Sequence, residues 1–105
     1  MEITKIEDIY RDYNIHKAII ICNKDEIDDY HKELLERDFS VLRSGYIDRL
    51  NDAENRVLLM DAEAGLKAFR LVDTTSINLD WITFVIYINT STRIPALNHI
   101  HSIIL

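Results

Sequence analysis

The sequence predicts an α/β fold in which helices cover both faces of a mostly parallel sheet, forming a three-layer sandwich. Three apolar runs support this prediction, because none of them alternates with polar residues as a strand with one wet face would. They are Lys17–Cys22, Arg56–Met60 and Ile82–Ile88. A helical pattern begins directly behind the first run, and we expect right-handed crossovers between the strands. No linker, repeat or low-complexity tract interrupts the sequence, so residues 1–105 form a single domain.

Composition and charge narrow the class of protein. Apolar residues make up 48% of the chain, which is enough for a globular core. The single cysteine excludes an internal disulfide framework, and no apolar stretch approaches the roughly 18 residues that cross a bilayer. We therefore expect a cytoplasmic protein with no membrane partner. The 18 acidic and 12 basic side chains give a net charge of −6, which disfavours tight, sequence-independent binding of nucleic acid.

Two helices flank the first strand in the predicted order. Isoleucines and tyrosines at helical spacing predict a first helix over Thr4–Asn14. After the strand at Lys17–Cys22, Asn23 is expected to cap the next helix while Glu26, three places on, reaches back to it. Arg37 closes this helix. Its expected buried stripe comprises Ile27, Tyr30, Leu34 and Leu35.

The middle of the chain predicts two further strands and one segment of uncertain type. Phe39–Leu42 is expected to be the second strand, Tyr46–Asn51 a weak helix, and Arg56–Met60 the third strand. Alanines favour a helix over Ala62–Asp73. Because a glycine interrupts that pattern, a short strand at Phe69–Val72 is the alternative.

The last third begins with a clear strand at Ile82–Ile88 and continues into a polar loop at Asn89–Thr92. Pro95 is a residue type that favours the first turn of a helix. The sequence therefore predicts a last helix over Ala96–Leu105.

Function is expected where parallel strands end, because ligands bind outside the carboxyl ends of such strands. Cys22 ends the first strand, and one hypothesis makes it a nucleophile. The acidic residues that follow would raise the pKa of its thiol, so a buried structural thiol is favoured. Asp61 ends the third strand, and a second hypothesis makes it the phospho-acceptor of a receiver domain. That family requires an acidic pair, and Cys22 with Asn23 cannot chelate magnesium as such a pair would.

Histidines and aromatic residues offer weaker signals. His99 and His101 would point to different sides of a helix, so we expect no metal site. Trp81, Phe84 and Tyr87 could form a stacking platform for bases, but few basic residues surround them. A strand packed in the core is the favoured interpretation.

Five segments follow one another in a recognisable order. They are KAIIICN, IDDYHKELLERDFSV, RVLLMDAEAGL, ITFVIYIN and LNHIHSI. This order resembles the carboxy-terminal RecA-like lobe of DEAD-box RNA helicases, especially the translation-initiation type, over almost the whole chain. The resemblance implies a RecA-like fold in a degenerate, shortened form. It also implies a binding rim, for a protein partner or nucleic acid, that comprises Asn23, Lys24, Asp61, Gly65 and Lys67.

Departures from that family bear on activity. Met60 stands where the family has a threonine that would contact a nucleic-acid phosphate, and no arginine precedes Gly65. His101–Leu105 also lacks the family's arginines, which would stabilise charge on a transferring phosphoryl group. Gly45 and Gly65 stand too far apart for a GxxxxGK phosphate loop. We expect no catalytic residues, no cofactor and no autonomous ATPase or helicase activity.

Three functional hypotheses follow. The favoured one is a non-catalytic module that binds a protein partner, either a helicase amino-terminal lobe or the scaffold that holds the helicase. The first alternative is an RNA-binding lobe with residual backbone contacts, and the second is a receiver-like domain or small enzyme that uses Asp61 or Cys22. The chain is expected to be a monomer, or a homodimer if the strand edge after Ile88 is uncovered. Four basic side chains lie near predicted strand ends and are candidates for one shared rim, namely Lys24, Arg43, Lys67 and Arg93.

Overall fold

A computed structural model describes residues 2–43, 56–71 and 84–105. In these residues three α-helices and five strands occur in the order α1, β1, α2, β2, β3, α3, β4, β5. The helices are α1 (Glu2–Asp12), α2 (Ile27–Glu36) and α3 (Ala62–Leu71). The strands are β1 (Ala18–Cys22), β2 (Val41–Arg43), β3 (Val57–Asp61), β4 (Phe84–Tyr87) and β5 (His101–Ile104). Short 3₁₀ turns lie at Lys24–Glu26 and Pro95–Leu97.

All five strands are parallel and form one sheet in the order β2-β3-β1-β4-β5. β1 is central, and Ala18 pairs with Val57 on one side and with Phe84 on the other. Every residue of β1 is fully buried. A parallel strand covered on both faces requires this apolar composition, so the prediction for Lys17–Cys22 is confirmed.

The core has two layers because alternate residues of each strand point to opposite faces of the sheet. Ile20 packs with α1 and α2 on one face, in a cluster that includes Ile6 and Leu34. Ile19 packs on the other face, in a cluster that includes Phe69 of α3 and Leu97. The three-layer α/β architecture predicted from the sequence is therefore present.

The first two helices end in the same way. Asn14 and Asp38 adopt left-handed conformations, with φ of 54° and 63°. After α2, the N–H of Asp38 donates to the Leu35 carbonyl and the N–H of Phe39 donates to the Leu34 carbonyl. This pair of bonds is the Schellman motif, and it satisfies carbonyls that the helix end would otherwise leave unpaired.

Several predicted elements occur with shifted ends. α1 begins and ends two residues earlier than predicted, and β2 begins two residues later. The segment from Ala62 is a helix, so the alternative strand at Phe69–Val72 is wrong for the residues within α3. The predicted weak helix at Tyr46–Asn51 lies outside the described residues.

The predicted last helix over Ala96–Leu105 is wrong. Pro95 does start a helical turn, but that turn ends at Leu97 and the chain continues into β5. Residues 101–104 include serine and two isoleucines, which are weak helix formers, and the edge of β4 offers them backbone hydrogen bonds. The edge of the strand that leads to Ile88 is consequently covered by β5. The sequence predicted a homodimer only if this edge were uncovered, and that condition is not met. Among the described helices, none has the length and apolar character needed to cross a bilayer.

Candidate functional site: a cleft at the carboxyl end of the sheet

A cleft opens where the central strands end. Cys22 of β1 pairs with Asp61 of β3, so the chain leaves both strands at the same level. It then passes to α2 on one face of the sheet and to α3 on the other. Loops that diverge in this way leave a crevice between them, which is where open α/β sheets bind ligands.

This crevice, here termed the rim cleft, has a volume of about 280 Å³. Its walls come from the ends of β1 and β3, the start of α3 and the loop after β4. The lining residues are Cys22, Asn23, Lys24, Asp61, Ala62, Glu63, Leu66, Thr90 and Thr92. Three residues predicted from the sequence, Asn23, Lys24 and Asp61, therefore meet in one place.

The other two predicted rim residues do not line the cleft. Gly65 is a buried residue on the sheet-facing side of α3, where an added Cβ would lie 2.5 Å from Cδ1 of Ile94. Its absent side chain allows α3 to approach the sheet closely. Lys67 is exposed two residues further along α3, and its Nζ lies 3.6 Å from a carboxylate oxygen of Glu63, one turn before it.

Asn23 holds two strand ends together. Its Nδ2 donates to the carbonyl of Asn89, at 2.8 Å, and to Oε1 of Glu26, at 3.2 Å. The carbonyl of Asn23 accepts the N–H of Glu26 at 3.1 Å. The predicted capping box is wrong in its geometry, because the Asn23 side chain makes no capping bond to the helix and bridges to the loop after β4 instead.

Asp61 caps α3. Its Oδ1 accepts the N–H of Ala64 at 2.9 Å, which satisfies one of the free donors at the start of that helix. The negative charge also lies at the positive end of the helix dipole. A structural bond therefore already uses one oxygen of the carboxylate that the receiver hypothesis needs.

Cys22 contributes a buried thiol. Its Sγ lies 3.8 Å from the carbonyl of Met60, to which it donates, and the side chain is fully buried. Burial, followed by the nearby charges of Asp61 and Glu26, raises the pKa of the Cys22 thiol to about 12. Because the thiolate is the reactive form, this environment favours an inert thiol.

The loop after β4 supplies two threonines that the sequence did not mark as site residues. The N–H of Thr92 donates to Oγ1 of Thr90, and the Arg93 guanidinium donates to the carbonyls of both threonines. The same guanidinium lies over the ring of Tyr87, 4.5 Å from its centroid. The Tyr87 hydroxyl accepts the N–H of Ile94 at 3.2 Å, so a single aromatic side chain shapes the loop. The sequence feature that could have indicated these two threonines is the run of polar residues, Asn89–Thr92, directly after a buried strand.

The four basic side chains proposed for one rim are engaged separately. Arg43 donates to Oδ1 of Asp28 and lies 3.1 Å from Nδ1 of His31, beside α2. Burial, together with the Arg43 charge, lowers the pKa of His31. Lys67 and Arg93 have the contacts given above, which leaves Lys24 as the basic side chain of the rim cleft.

The aromatic residues of β4 belong to the core. Phe84 and Tyr87 are both buried, which confirms the core interpretation for these two, whereas Trp81 lies outside the described residues. Within the described ranges no three histidine, cysteine or carboxylate side chains are grouped as a metal site requires. The chemistry that the rim cleft offers is hydrogen bonding and charge.

Comparison with known proteins gave no match, whether against protein-family models, curated proteins or solved structures.

Proposed function

We propose that this domain is a non-catalytic binding module that engages a protein partner through the rim cleft. The observation that carries the proposal is the meeting of Asn23, Lys24 and Asp61 at the carboxyl ends of adjacent strands. The resemblance to a helicase carboxy-terminal lobe supports a helicase amino-terminal lobe, or the scaffold that holds the helicase, as the partner.

Recognition is favoured over catalysis because groups that could perform chemistry are used to hold the chain. The Asn23 amide bridges to the Asn89 carbonyl, Asp61 caps α3, and the Cys22 thiol is buried and protonated. A catalytic nucleophile needs access to its substrate and an activating neighbour. Preorganised hydrogen bonds of this kind instead give the cleft a fixed shape.

The charge of the cleft favours a protein over RNA. Asp61 and Glu63 line it together with one lysine, Lys24, and acidic Asp25 follows that lysine on an exposed turn. A phosphate backbone would meet repulsion from these carboxylates. A partner that presents basic side chains would be attracted to them, so we infer a basic surface on the partner.

A crosslinking experiment tests this proposal. A photoreactive amino acid replaces exposed Lys24 in one variant and exposed Lys5, on α1, in a control variant. We expect Lys24 to give a discrete protein adduct in cells that Lys5 does not give. Glu63→Lys should weaken that adduct, whereas Glu36→Lys, which makes the same charge change on α2, should not.

Two results would contradict the proposal. One is an adduct of equal intensity from both positions, or none from Lys24. The other is tight binding of labelled single-stranded RNA that Lys24→Ala abolishes, because this would favour the RNA-binding alternative. Fluorescence anisotropy at low and moderate salt measures the RNA binding directly.

A further inference from the structure

The described sheet has two edge strands, and they differ in how well they resist pairing with another chain. β2 has three residues and carries a charged side chain, Arg43, that is engaged by Asp28. β5 has four residues, His101–Ile104, with no lysine, arginine, carboxylate or proline among them. Natural proteins protect exposed edges with charges, prolines or very short strands. β5 has neither a charge nor a proline.

The backbone of β5 presents a defined set of outward groups. The N–H of Leu105 donates to the Tyr87 carbonyl, and the Leu105 carbonyl accepts the N–H of Asn89. Because the direction of backbone groups alternates along a strand, Ile103 also faces β4, whereas Ser102 and Ile104 direct their N–H and C=O groups away from it. Among the described strands, β5 pairs with β4 alone.

The geometry points to a homodimer in which β5 pairs with β5 of a second copy in antiparallel orientation, about a two-fold axis at Ile103. In this register Ser102 lies opposite Ile104 of the partner subunit, and Ile104 lies opposite Ser102 of the partner subunit. Each of these pairs exchanges both N–H and C=O groups, which gives four hydrogen bonds. The ten described strands of the two copies would then form one continuous sheet.

A second copy fits this edge because the strand is complementary to itself. Antiparallel pairing places no charged side chain opposite a like charge, which would be destabilising. It also covers Ile104, whose side chain is 54% exposed although it is large and apolar. A two-fold interface of this kind closes on itself, so β5 is used up in the dimer and, among the described strands, only the shorter, charged β2 remains as an edge of the joined sheet.

Net charge sets the expected salt dependence. Each copy carries a formal charge of −6, so two copies repel one another at low ionic strength. Added salt screens that repulsion, whereas the uncharged contact itself is not weakened. We therefore expect dimerisation to strengthen from low to moderate salt, opposite to the behaviour of a charge-driven partner at the rim cleft.

Sedimentation equilibrium over a concentration series tests the dimer. Ser102→Pro removes an outward N–H and leaves the bonds between β4 and β5 in place, so it should eliminate the dimer. Ser102→Ala keeps the N–H and should dimerise like the natural chain. Ile104→Lys places a charge on the edge and should also give monomers. Circular dichroism shows whether each variant is folded.

Disulfide trapping tests the register independently of stability. Across the proposed axis the two Ile103 residues form a non-hydrogen-bonded pair, with Cα atoms about 4.5 Å apart, which suits a disulfide. Ile103→Cys should give a covalent dimer on oxidation. Ser102→Cys should give little, because the two copies of that residue are displaced by about 7 Å along the strands. The natural chain serves as the control for this experiment, because its own cysteine, Cys22, is buried.

The outcomes separate this inference from the proposed function. A natural chain that stays monomeric at every concentration, a dimer that persists in both Ser102→Pro and Ile104→Lys, or equal trapping at positions 102 and 103 would overturn the β5 interface. Binding of a foreign extended peptide to a monomeric chain at β5 would overturn it as well. None of these variants touches the rim cleft, so the crosslink from Lys24 remains interpretable in each of them.

Discussion

Cys22 illustrates how position decides the chemistry of a single residue. A thiol at the end of a central strand is placed where nucleophiles often lie, and the charge pattern behind it already indicated an unreactive group. The structure adds full burial and a bond to the Met60 carbonyl. Both place the thiol in the core rather than in solution.

We predict that Cys22 resists thiol reagents in the folded protein. With a pKa of about 12, almost no thiolate is present at neutral pH, and burial blocks access. Labelling with a chromogenic disulfide should be slow without denaturant and fast in urea. A Tyr13→Cys variant, at a position that is 56% exposed, provides a second thiol that should label at once. Rapid labelling of Cys22 in the native chain would contradict this.

Gly65 was predicted to be a rim residue, and its position gives it a different role. α3 packs closely at this position, and Cδ1 of Ile94 occupies the space that a Cβ on residue 65 would need. Sδ of Met60 lies 3.1 Å from the same Cβ position. Sequence alone could not show this, because it depends on the distance between two packed layers.

We predict that Gly65→Ala destabilises the fold by about 1 kcal/mol. Overpacking costs about 1–3 kcal/mol, and the better helix propensity of alanine returns up to about 1 kcal/mol. Ile94→Val removes the clashing methyl group, so the double variant should lose less stability than the two single variants summed. Urea denaturation measures all three. Strict additivity would contradict the proposed contact.

At the scale of elements, α1 and α2 share one design. Each ends in a Schellman motif in which a polar residue takes the left-handed position and the next residue is buried, Ile15 after α1 and Phe39 after α2. Asparagine tolerates this conformation better than aspartate does, because its amide carries no charge at the negative end of the helix.

We predict that Asp38→Gly stabilises the domain by about 1 kcal/mol. Glycine adopts a φ of 63° without a steric penalty, and the substitution removes a negative charge from the helix carboxyl end. Asp38→Ala keeps the steric penalty and should stabilise less or destabilise. Asn14→Gly, in the equivalent position after α1, should give a smaller gain. Thermal melting of the three variants provides the measurement, and a melting temperature that falls for Asp38→Gly would refute it.

The elements also show which local signals are reliable. The strands at Lys17–Cys22 and Arg56–Met60 were predictable because strands buried on both faces must be continuously apolar. The secondary structure after Pro95 was not predictable, because a proline in the first turn is compatible with a helix of any length. Pairing with β4 decided that residues 101–104 form a strand.

At the scale of the whole molecule, titration of buried groups links stability to pH. The Tyr10 hydroxyl is buried and donates to the Arg56 carbonyl at 2.7 Å. Burial raises the pKa of Tyr10 above its usual range, and burial raises that of Cys22 to about 12. Both groups therefore bind their protons more tightly in the folded state than in the unfolded state.

We predict a loss of stability at alkaline pH. Well below the ordinary cysteine pKa of 9.0 both states hold these protons, so these two groups add no pH dependence to the free energy of unfolding. Above it the unfolded state releases protons first, so the free energy of unfolding falls as pH rises, by roughly 1–2 kcal/mol at about pH 10. Cys22→Ala should flatten the fall, which urea titrations across this range would measure. If the natural chain and Cys22→Ala lost stability identically as pH rises, the loss could not be due to Cys22.

The sequence by itself determined the α/β class, the buried central strands and the polar residues that follow them, because hydrophobic periodicity and side-chain chemistry are local properties. Only the tertiary structure decided that Asn23, Lys24 and Asp61 meet in one cleft with Thr90 and Thr92, while Gly65 of α3 faces the sheet. It also decided that β5, rather than a helix, forms the sheet edge. The physical reason is that strand order and layer spacing depend on contacts between residues far apart in the chain, which no local pattern encodes.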